Sequence, residues 1–166
     1  MGIRSFLAKI WAPKVVNKYR KSHSNAFERQ DYWMKANVKA AENTIIGKSF
    51  TFSKIQNYLD FKASVPIFEY EDFKQYIDEA VSGTPNIFWP GRPSYFAKTS
   101  GTTSGIKYIP ISKDSMPFHI LGARDDLLHY VYYSGKADFL DRKLIFLSGS
   151  PELEQKKGVS IGRLSG

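Results

Sequence analysis

One stretch of the chain, Thr99–Lys107, limits the fold more than any other, because it consists almost entirely of Ser, Thr and Gly. These residues favour tight loops over the interiors of helices or strands. Segments of strand character, Tyr95–Ala97 and Lys107–Ile111, lie on either side of it. Apolar residues at helical spacing precede this strand–loop–strand unit at 70–82 and follow it at 114–133. Helices that alternate with strands predict an α/β fold.

Further helices are predicted at 25–43, with Asn25 as the cap of a capping box, and at 52–61. Gly47 is interpreted as a break between them, and residues 83–93 as a loop, because both carry helix-breaking residues.

Two predictions concern the last part of the chain. The continuous apolar run Leu144–Leu147 predicts a strand buried on both faces. The tail at 158–166 holds three glycines and two serines, and we expect it to bury little and to complete no part of the fold.

The first 24 residues carry six basic side chains and no acidic one. Large apolar residues recur there at spacings of three and four, which predicts an amphipathic helix broken or kinked at Pro13. We expect the apolar face to dock on the rest of the protein; the alternative is an anionic membrane surface. Residues 1–24 are treated as one segment and 25–166 as a second. The apolar stripe consists of Ile3, Phe6, Leu7, Ile10, Trp11, Val15 and Tyr19.

Composition excludes several classes of protein. With 166 residues, 42% of them hydrophobic, the chain has enough apolar material for one folded domain. It has no cysteine, so a disulfide framework, Cys-ligated zinc and thiol catalysis are excluded. The three histidines are scattered, and no metal site is predicted from them.

The same features bear on location and partners. No apolar run approaches the roughly 20 residues of a membrane span, and the N-terminus lacks the pattern of a signal peptide; we expect a cytoplasmic protein. The net charge of +8 is compatible with nucleic acid, an anionic membrane or a phosphorylated ligand. Nucleic acid is not a predicted partner, because no nucleic-acid-binding motif is recognisable.

The loop has the chemistry of a phosphate site. Glycines let backbone N–H groups turn toward an anion, hydroxyls donate further hydrogen bonds, and Lys107 adds a positive charge. A Walker motif does not fit, since Gly101 and Gly105 are four residues apart and Ile106-Lys107-Tyr108 follows. From composition alone, a flexible surface loop remains an equal alternative.

The segment Ala97–Pro110 resembles the first motif of the Gretchen Hagen acyl-acid-amido synthetases, a family of the adenylate-forming superfamily. Two other segments, Ala41–Lys48 and Val65–Phe73, are similar to earlier segments of that family, in the same order and spacing. The resemblance covers residues 27–166. It implies that the chain is part of the large N-terminal domain of an adenylate-forming enzyme.

The resemblance also implies a reaction. Such an enzyme uses ATP with Mg²⁺ to adenylate a carboxylic acid, and then transfers the acyl group to an amine or amino acid. The resemblance assigns no catalytic residue in this chain. By the resemblance, the ATP phosphates contact Thr99, Ser100, Gly101, Thr102, Thr103, Ser104 and Gly105, with Lys107 as a further partner.

An acyl-substrate pocket is expected where family members line theirs, on the helix at 114–133. Its predicted residues are Leu121, Arg124, Leu128 and Tyr132, with Arg124 facing a substrate carboxylate; a solvated arginine on an amphipathic helix is the alternative. The family's adenine- and ribose-binding motifs are not found here. We therefore expect a fragment that is inactive alone and that self-associates through uncovered apolar surface. A non-catalytic module that binds a partner or a membrane through the basic N-terminal helix is the alternative function.

Overall fold

A computed structural model describes residues 2–99, 105–144, 153–156 and 158–162. It confirms an α/β fold. The helices are α1 (Ile3–Ser24), α2 (Ala26–Ala41), α3 (Ile45–Ser49), α4 (Tyr58–Ser64), α5 (Tyr70–Val81) and α6 (Met116–Ser134), with 3₁₀ turns at Phe52–Lys54 and Asp138–Asp141. The strands are β1 (Tyr95–Lys98), β2 (Tyr108–Ile111), β3 (Glu154–Lys156) and β4 (Val159–Gly162). Among the described residues, no helix is both long and apolar enough to cross a membrane.

The chain divides into two compact units. The first unit comprises Met1–Arg29 and Ser115–Leu147, and the second comprises Gln30–Asp114 and Ser148–Gly166. The predicted strand Leu144–Leu147 lies almost wholly outside the described residues, so it stays a prediction.

In the first unit, α1 packs against α6. The helix α1 continues through Pro13, so of the two predicted alternatives the break is wrong and the kink stays a prediction. Pro117 falls in the first turn of α6, where its missing N–H breaks no helical hydrogen bond. The core of this unit consists of Ala8, Ala12, Val15, Leu128, Val131 and Ala137.

The face of α1 that packs agrees with the predicted apolar stripe only in part: Val15 belongs to both, but most of the stripe is not buried. Small residues, including Ser5, Ala8 and Ala12, are buried, whereas Ile10 and Trp11 are half exposed. Two residues along a helix correspond to a rotation of about 200°, so Ile10 and Ala12 point to opposite sides. Small side chains let two helices approach closely, and this explains why α1 docks through them. Ile3, Phe6 and Leu7 also remain exposed.

The second unit is built around a mixed sheet with the strand order β2-β1-β4-β3. Strand β1 is antiparallel to β2 and parallel to β4, and β3 is antiparallel to β4. Helix α5 contributes its apolar face to the core of this unit. The core residues are Ile46, Ile77, Ala80, Val81, Ile87, Phe96, Val159 and Ile161.

The expectation that the tail at 158–166 buries little is wrong. Its residues Val159–Gly162 form β4, which lies beside β1 near the middle of the sheet. Val159 and Ile161 alternate with Ser160, so both point to the same face of the strand, and they are 4% and 1% exposed. Two β-branched side chains are enough for a strand once a partner strand is present.

Gly47 does not break the chain but lies inside α3. A Cβ built at Gly47 would lie 2.0 Å from the backbone oxygen of Ala41. The Thr44 hydroxyl donates to that same oxygen (2.7 Å) and accepts from the N–H of Gly47 (3.0 Å). The Thr-x-x-Gly pattern is therefore a compact helix cap that only glycine fits.

Other boundaries differ in detail. The predicted helix at 52–61 is split, because Asn57 caps the start of α4 by accepting from Leu59 and Asp60. Asn25 is the single residue between α1 and α2. Helix α5 and the loop after it are confirmed.

Candidate functional site

The ends of the predicted phosphate loop are joined as a β-hairpin. In the β1–β2 register, Lys98 faces Tyr108. One step further, the N–H of Thr99 donates to the carbonyl of Lys107 at 3.0 Å. This bond joins the two ends of the loop. Ser100–Ser104 lie outside the described residues, and their predicted phosphate contacts stay predictions.

Strand β1 gives the loop a fixed base. It lies between β2 and β4, and its residues Phe96 and Ala97 are 0% and 6% exposed. At the other end of the loop, Gly105 has φ +81°, a conformation that L side chains rarely adopt. The loop therefore leaves a buried strand and returns through a glycine that its backbone requires.

Tyr70, the first residue of α5, contacts the returning end of the loop. Its hydroxyl accepts a hydrogen bond from the N–H of Tyr108 at 2.9 Å. Its ring lies under the ammonium group of Lys107, with Nζ 5.1 Å from the ring centre. Tyr70 lies within the family-like segment Val65–Phe73, but its role could not be predicted, since no sequence pattern indicates a contact between residues 38 positions apart.

The four predicted acyl-pocket residues lie on α6 in the first unit. Leu128 and Tyr132 pack with its core, whereas Leu121 and the Arg124 side chain are 40% and 41% exposed. Two of the four predicted residues therefore contribute to the core and two are accessible to a ligand. The pocket itself stays a prediction.

Arg124 is held from two sides. Its Nε and Nη2 donate to Oδ1 of Asp125 at 2.8 Å and 2.5 Å, and its guanidinium carbon lies 5.3 Å from the centre of the Trp11 ring. Asp125 is buried and also accepts from the hydroxyl of Tyr19 at 3.2 Å. Burial, together with the negative charge of Asp125, raises the pKa of Tyr19 above its ordinary value, so Tyr19 keeps its proton and donates a hydrogen bond to this carboxylate.

A small cavity lies near strand β2 in the second unit. Its volume of about 50 Å³ is far below the roughly 300–1,000 Å³ of small-molecule sites, so it does not hold a nucleotide. It is lined by Ile87, Phe88, Trp89, Pro90, Arg92, Pro93, Pro110 and Ser112.

The fold and the hairpin define a class of protein. The structure superposes on that of a protein described as "AtGH3.15 acyl acid amido synthetase in complex with 2,4-DB", with a TM-score of 0.79 and 19% sequence identity. The match covers 92% of this chain and 27% of that one. The chain therefore has the fold of part of an acyl acid amido synthetase.

Sequence comparisons then give the family. Residues 15–166 match the family model described as "GH3 family N-terminal domain", and the chain belongs to this family. It is 30% identical over 95 residues to indole-3-acetic acid-amido synthetase GH3.15 of Arabidopsis thaliana, a match that covers 56% of this chain. It spans only 16% of that relative's length. The family resemblance seen in the sequence is confirmed.

Proposed function

We propose that the chain forms the phosphate-binding part of an ATP-dependent ligase that activates a carboxylic acid and joins it to an amine or amino acid. Membership of the GH3 family supports a ligase of this type. The observation that supports a phosphate role is the closure of the Ser/Thr/Gly loop by the Thr99–Lys107 hydrogen bond, at the end of a buried strand. Donors that are arranged before an anion binds stabilise its charge most effectively, and a buried strand joined to its neighbour at Thr99 and Lys107 gives the loop a defined base.

The proposed reaction has two steps. A carboxylate oxygen attacks the α-phosphorus of ATP, the bond to the pyrophosphate oxygen breaks, and an acyl-adenylate and pyrophosphate result. The amine nitrogen then attacks the acyl carbon, AMP leaves, and the amine gives up a proton as the amide forms. The first step needs charge stabilisation and positioning more than covalent participation by the protein.

Each part of the loop has a role in this proposal. Backbone N–H groups and hydroxyls from Thr99 to Gly105 hold the phosphate oxygens, and Lys107 stabilises their negative charge. Mg²⁺ enters bound to the ATP phosphates and offsets the same charge. In this proposal Arg124 faces the carboxylate of the acid substrate. Its side chain is 41% exposed, and its contacts with Asp125 and Trp11 orient the guanidinium, although Asp125 also offsets part of its charge.

The test compares the chain with its Ser100→Ala and Thr102→Ala variants in calorimetric titrations with MgATP. We expect each variant to bind about tenfold more weakly, since a hydrogen bond to a charged group contributes about 1.5 kcal/mol. Ser22→Ala is the control, because the Ser22 hydroxyl only bonds the carbonyl of Lys18 within α1. Equal affinities for all four proteins would contradict the proposed role of the loop.

A second candidate function is attachment to an anionic membrane surface through α1. The observation that favours it is the exposure of Ile3, Phe6, Leu7, Ile10 and Trp11 on a helix with six basic residues and no acidic one. Exposed large apolar side chains flanked by lysines suit the boundary between headgroups and acyl chains.

Co-sedimentation with vesicles tests this candidate. We expect retention on phosphatidylserine vesicles, no retention on phosphatidylcholine vesicles, and loss of retention when Lys9, Lys14 and Lys18 are replaced by Gln. Lys35, Lys39 and Lys62, replaced together, form the matched control because they lie outside α1. Retention that ignores the α1 substitutions would rule out this function.

A further inference from the structure

Two lysines flank the predicted phosphate loop, and their surroundings differ. Lys98, at the end of β1, forms an ion pair with the carboxylate of Glu154 on β3. Lys107 lies over the face of Tyr70 and forms no ion pair with a carboxylate of the described residues. A carboxylate neutralises an ammonium group, whereas an aromatic face holds it without cancelling its charge. Of these two lysines, Lys107 is the one with its charge available to an anion.

The hydroxyl of Tyr70 fixes the strand on which Lys107 lies. Along an antiparallel strand, the backbone nitrogens point alternately toward and away from the partner strand. Lys107 is hydrogen-bonded to Thr99, so the backbone nitrogens of Tyr108 and Pro110 point away from β1. Proline has no N–H, and the Tyr108 N–H is taken by the Tyr70 hydroxyl at 2.9 Å. The N–H on the outer edge of β2 at its first residue, directly after Lys107, therefore has a hydrogen-bond partner.

The position of Tyr70 is itself determined by the start of α5. The N–H of Glu69 donates to Oδ2 of Asp72 at 2.7 Å, as half of a capping box in which the Glu69 side chain accepts from the backbone of Asp72. This reciprocal pair fixes the first turn of the helix. The ring of Tyr70 is thus attached to a helix whose inner face is in the core.

We infer that Tyr70 is a positioning residue for phosphate binding: its ring holds the ammonium group of Lys107, and its hydroxyl fixes the strand at which the loop ends. This inference rests on the proposed function. Tyr70 does not touch the phosphate in this proposal but acts through Lys107 and the backbone of Tyr108. It joins two family-like segments of the sequence, Val65–Phe73 and Ala97–Pro110, in one site.

The experiment uses the full 166-residue chain and inorganic tripolyphosphate, titrated by calorimetry at two salt concentrations. We expect Tyr70→Phe, which keeps the ring and loses the hydroxyl, to weaken binding about fivefold, as for one hydrogen bond. Tyr70→Leu also loses the cation–π contact, and we expect about twentyfold weaker binding. Lys107→Met should weaken binding at least tenfold and reduce its salt dependence.

A double variant separates positioning from general damage. If the ring acts through Lys107, adding Tyr70→Leu to Lys107→Met should cost less than in the unmodified chain, about fivefold rather than twentyfold. Two controls should change affinity less than twofold: Lys98→Met, because Glu154 already neutralises Lys98, and Tyr58→Phe, because Tyr58 is 62% exposed on α4.

The outcomes distinguish this inference from the proposed function. If the unmodified chain does not bind tripolyphosphate, the phosphate role of the loop is wrong and the role of Tyr70 with it. If the chain binds and the Tyr70 variants bind equally well, the inference alone is overturned. It is also overturned if the effects of Tyr70→Leu and Lys107→Met are fully additive, or if Lys98→Met weakens binding as much as Lys107→Met.

Discussion

Replacing Gly47 by Ala should destabilise the protein, although alanine is the better helix former. The added Cβ would lie 2.0 Å from the oxygen and 2.9 Å from the carbonyl carbon of Ala41, and 3.1 Å from the carbonyl carbon of Glu42. All three atoms belong to the backbone, so no flexible side chain can move aside. The turn between α2 and α3 must open instead.

The magnitude follows from the contacts that the movement disturbs. Overpacking costs about 1–3 kcal/mol, and the two Thr44 hydroxyl bonds that meet at this turn contribute about 1 kcal/mol each. The higher helix propensity of alanine offsets about 1 kcal/mol of this destabilisation. We expect the free energy of unfolding to fall by about 2–4 kcal/mol, which lowers the melting temperature by about 4–16 °C in a chain of this size.

The assay is thermal and urea denaturation followed by circular dichroism. Gly122→Ala in α6 is the matched control: it is also a glycine within a helix, and a Cβ there meets no atom within 4 Å. We expect this control to stabilise the protein by up to about 1 kcal/mol. Opposite signs at two helical glycines isolate the steric effect. If Gly47→Ala were as stable as the unmodified chain, the argument from the Ala41 oxygen would be refuted.

Three further predictions concern packing and pH. Ile161→Ala should cost about 2–5 kcal/mol in urea denaturation, because Ile161 is 1% exposed in the core of the second unit; a change below 0.5 kcal/mol would show that β4 is not a core strand. Ala12→Leu should cost about 1–3 kcal/mol by overpacking the small-residue face of α1, whereas Ile10→Leu on the exposed face should be neutral. Asp141 accepts hydrogen bonds from the Ser5 hydroxyl and from the Gly2 N–H, and the Ser5 bond holds the pKa of Asp141 below its ordinary value of 3.8. The ionised carboxylate therefore stabilises the start of α1 above that value, and this contribution is lost as the pH falls through the lowered pKa. Amide exchange at Ser5 should accelerate at that pH, and Asp141→Asn should remove the transition.

Local sequence signals were sufficient to predict an element when the contacts that determine its ends lie within a few residues. Helix α5 begins at the capping pair Glu69 and Asp72, and Gly83, with φ +96°, follows its last turn. Both ends depend on contacts within a few residues, so they could be predicted. The loop at 99–107 was identified in the same way, because its Ser, Thr and Gly content is a local property.

Predictions failed where two segments compete for the same surface. The large residues of α1 predicted its buried face, but apart from Val15 the helix packs through small residues, since a close helix pair needs small side chains. The tail looked too poor in apolar residues to fold, but β1 supplies the hydrogen-bonding partner that Val159–Gly162 needs. The sequence of α1 does not indicate that α6 is its partner, and the sequence of β4 does not indicate that β1 is its partner.

The sequence by itself determined the fold class, the family and the chemistry of the loop, because each depends on which residues occur and in what order. Only the tertiary structure decided which neighbours those residues meet: Tyr70 under Lys107, Glu154 beside Lys98, and Trp11 against Arg124. The physical reason is that the charge available at a side chain depends on its surroundings. Two lysines on either side of one loop are chemically identical in the sequence, and the fold places Lys98 beside a carboxylate and Lys107 over an aromatic ring.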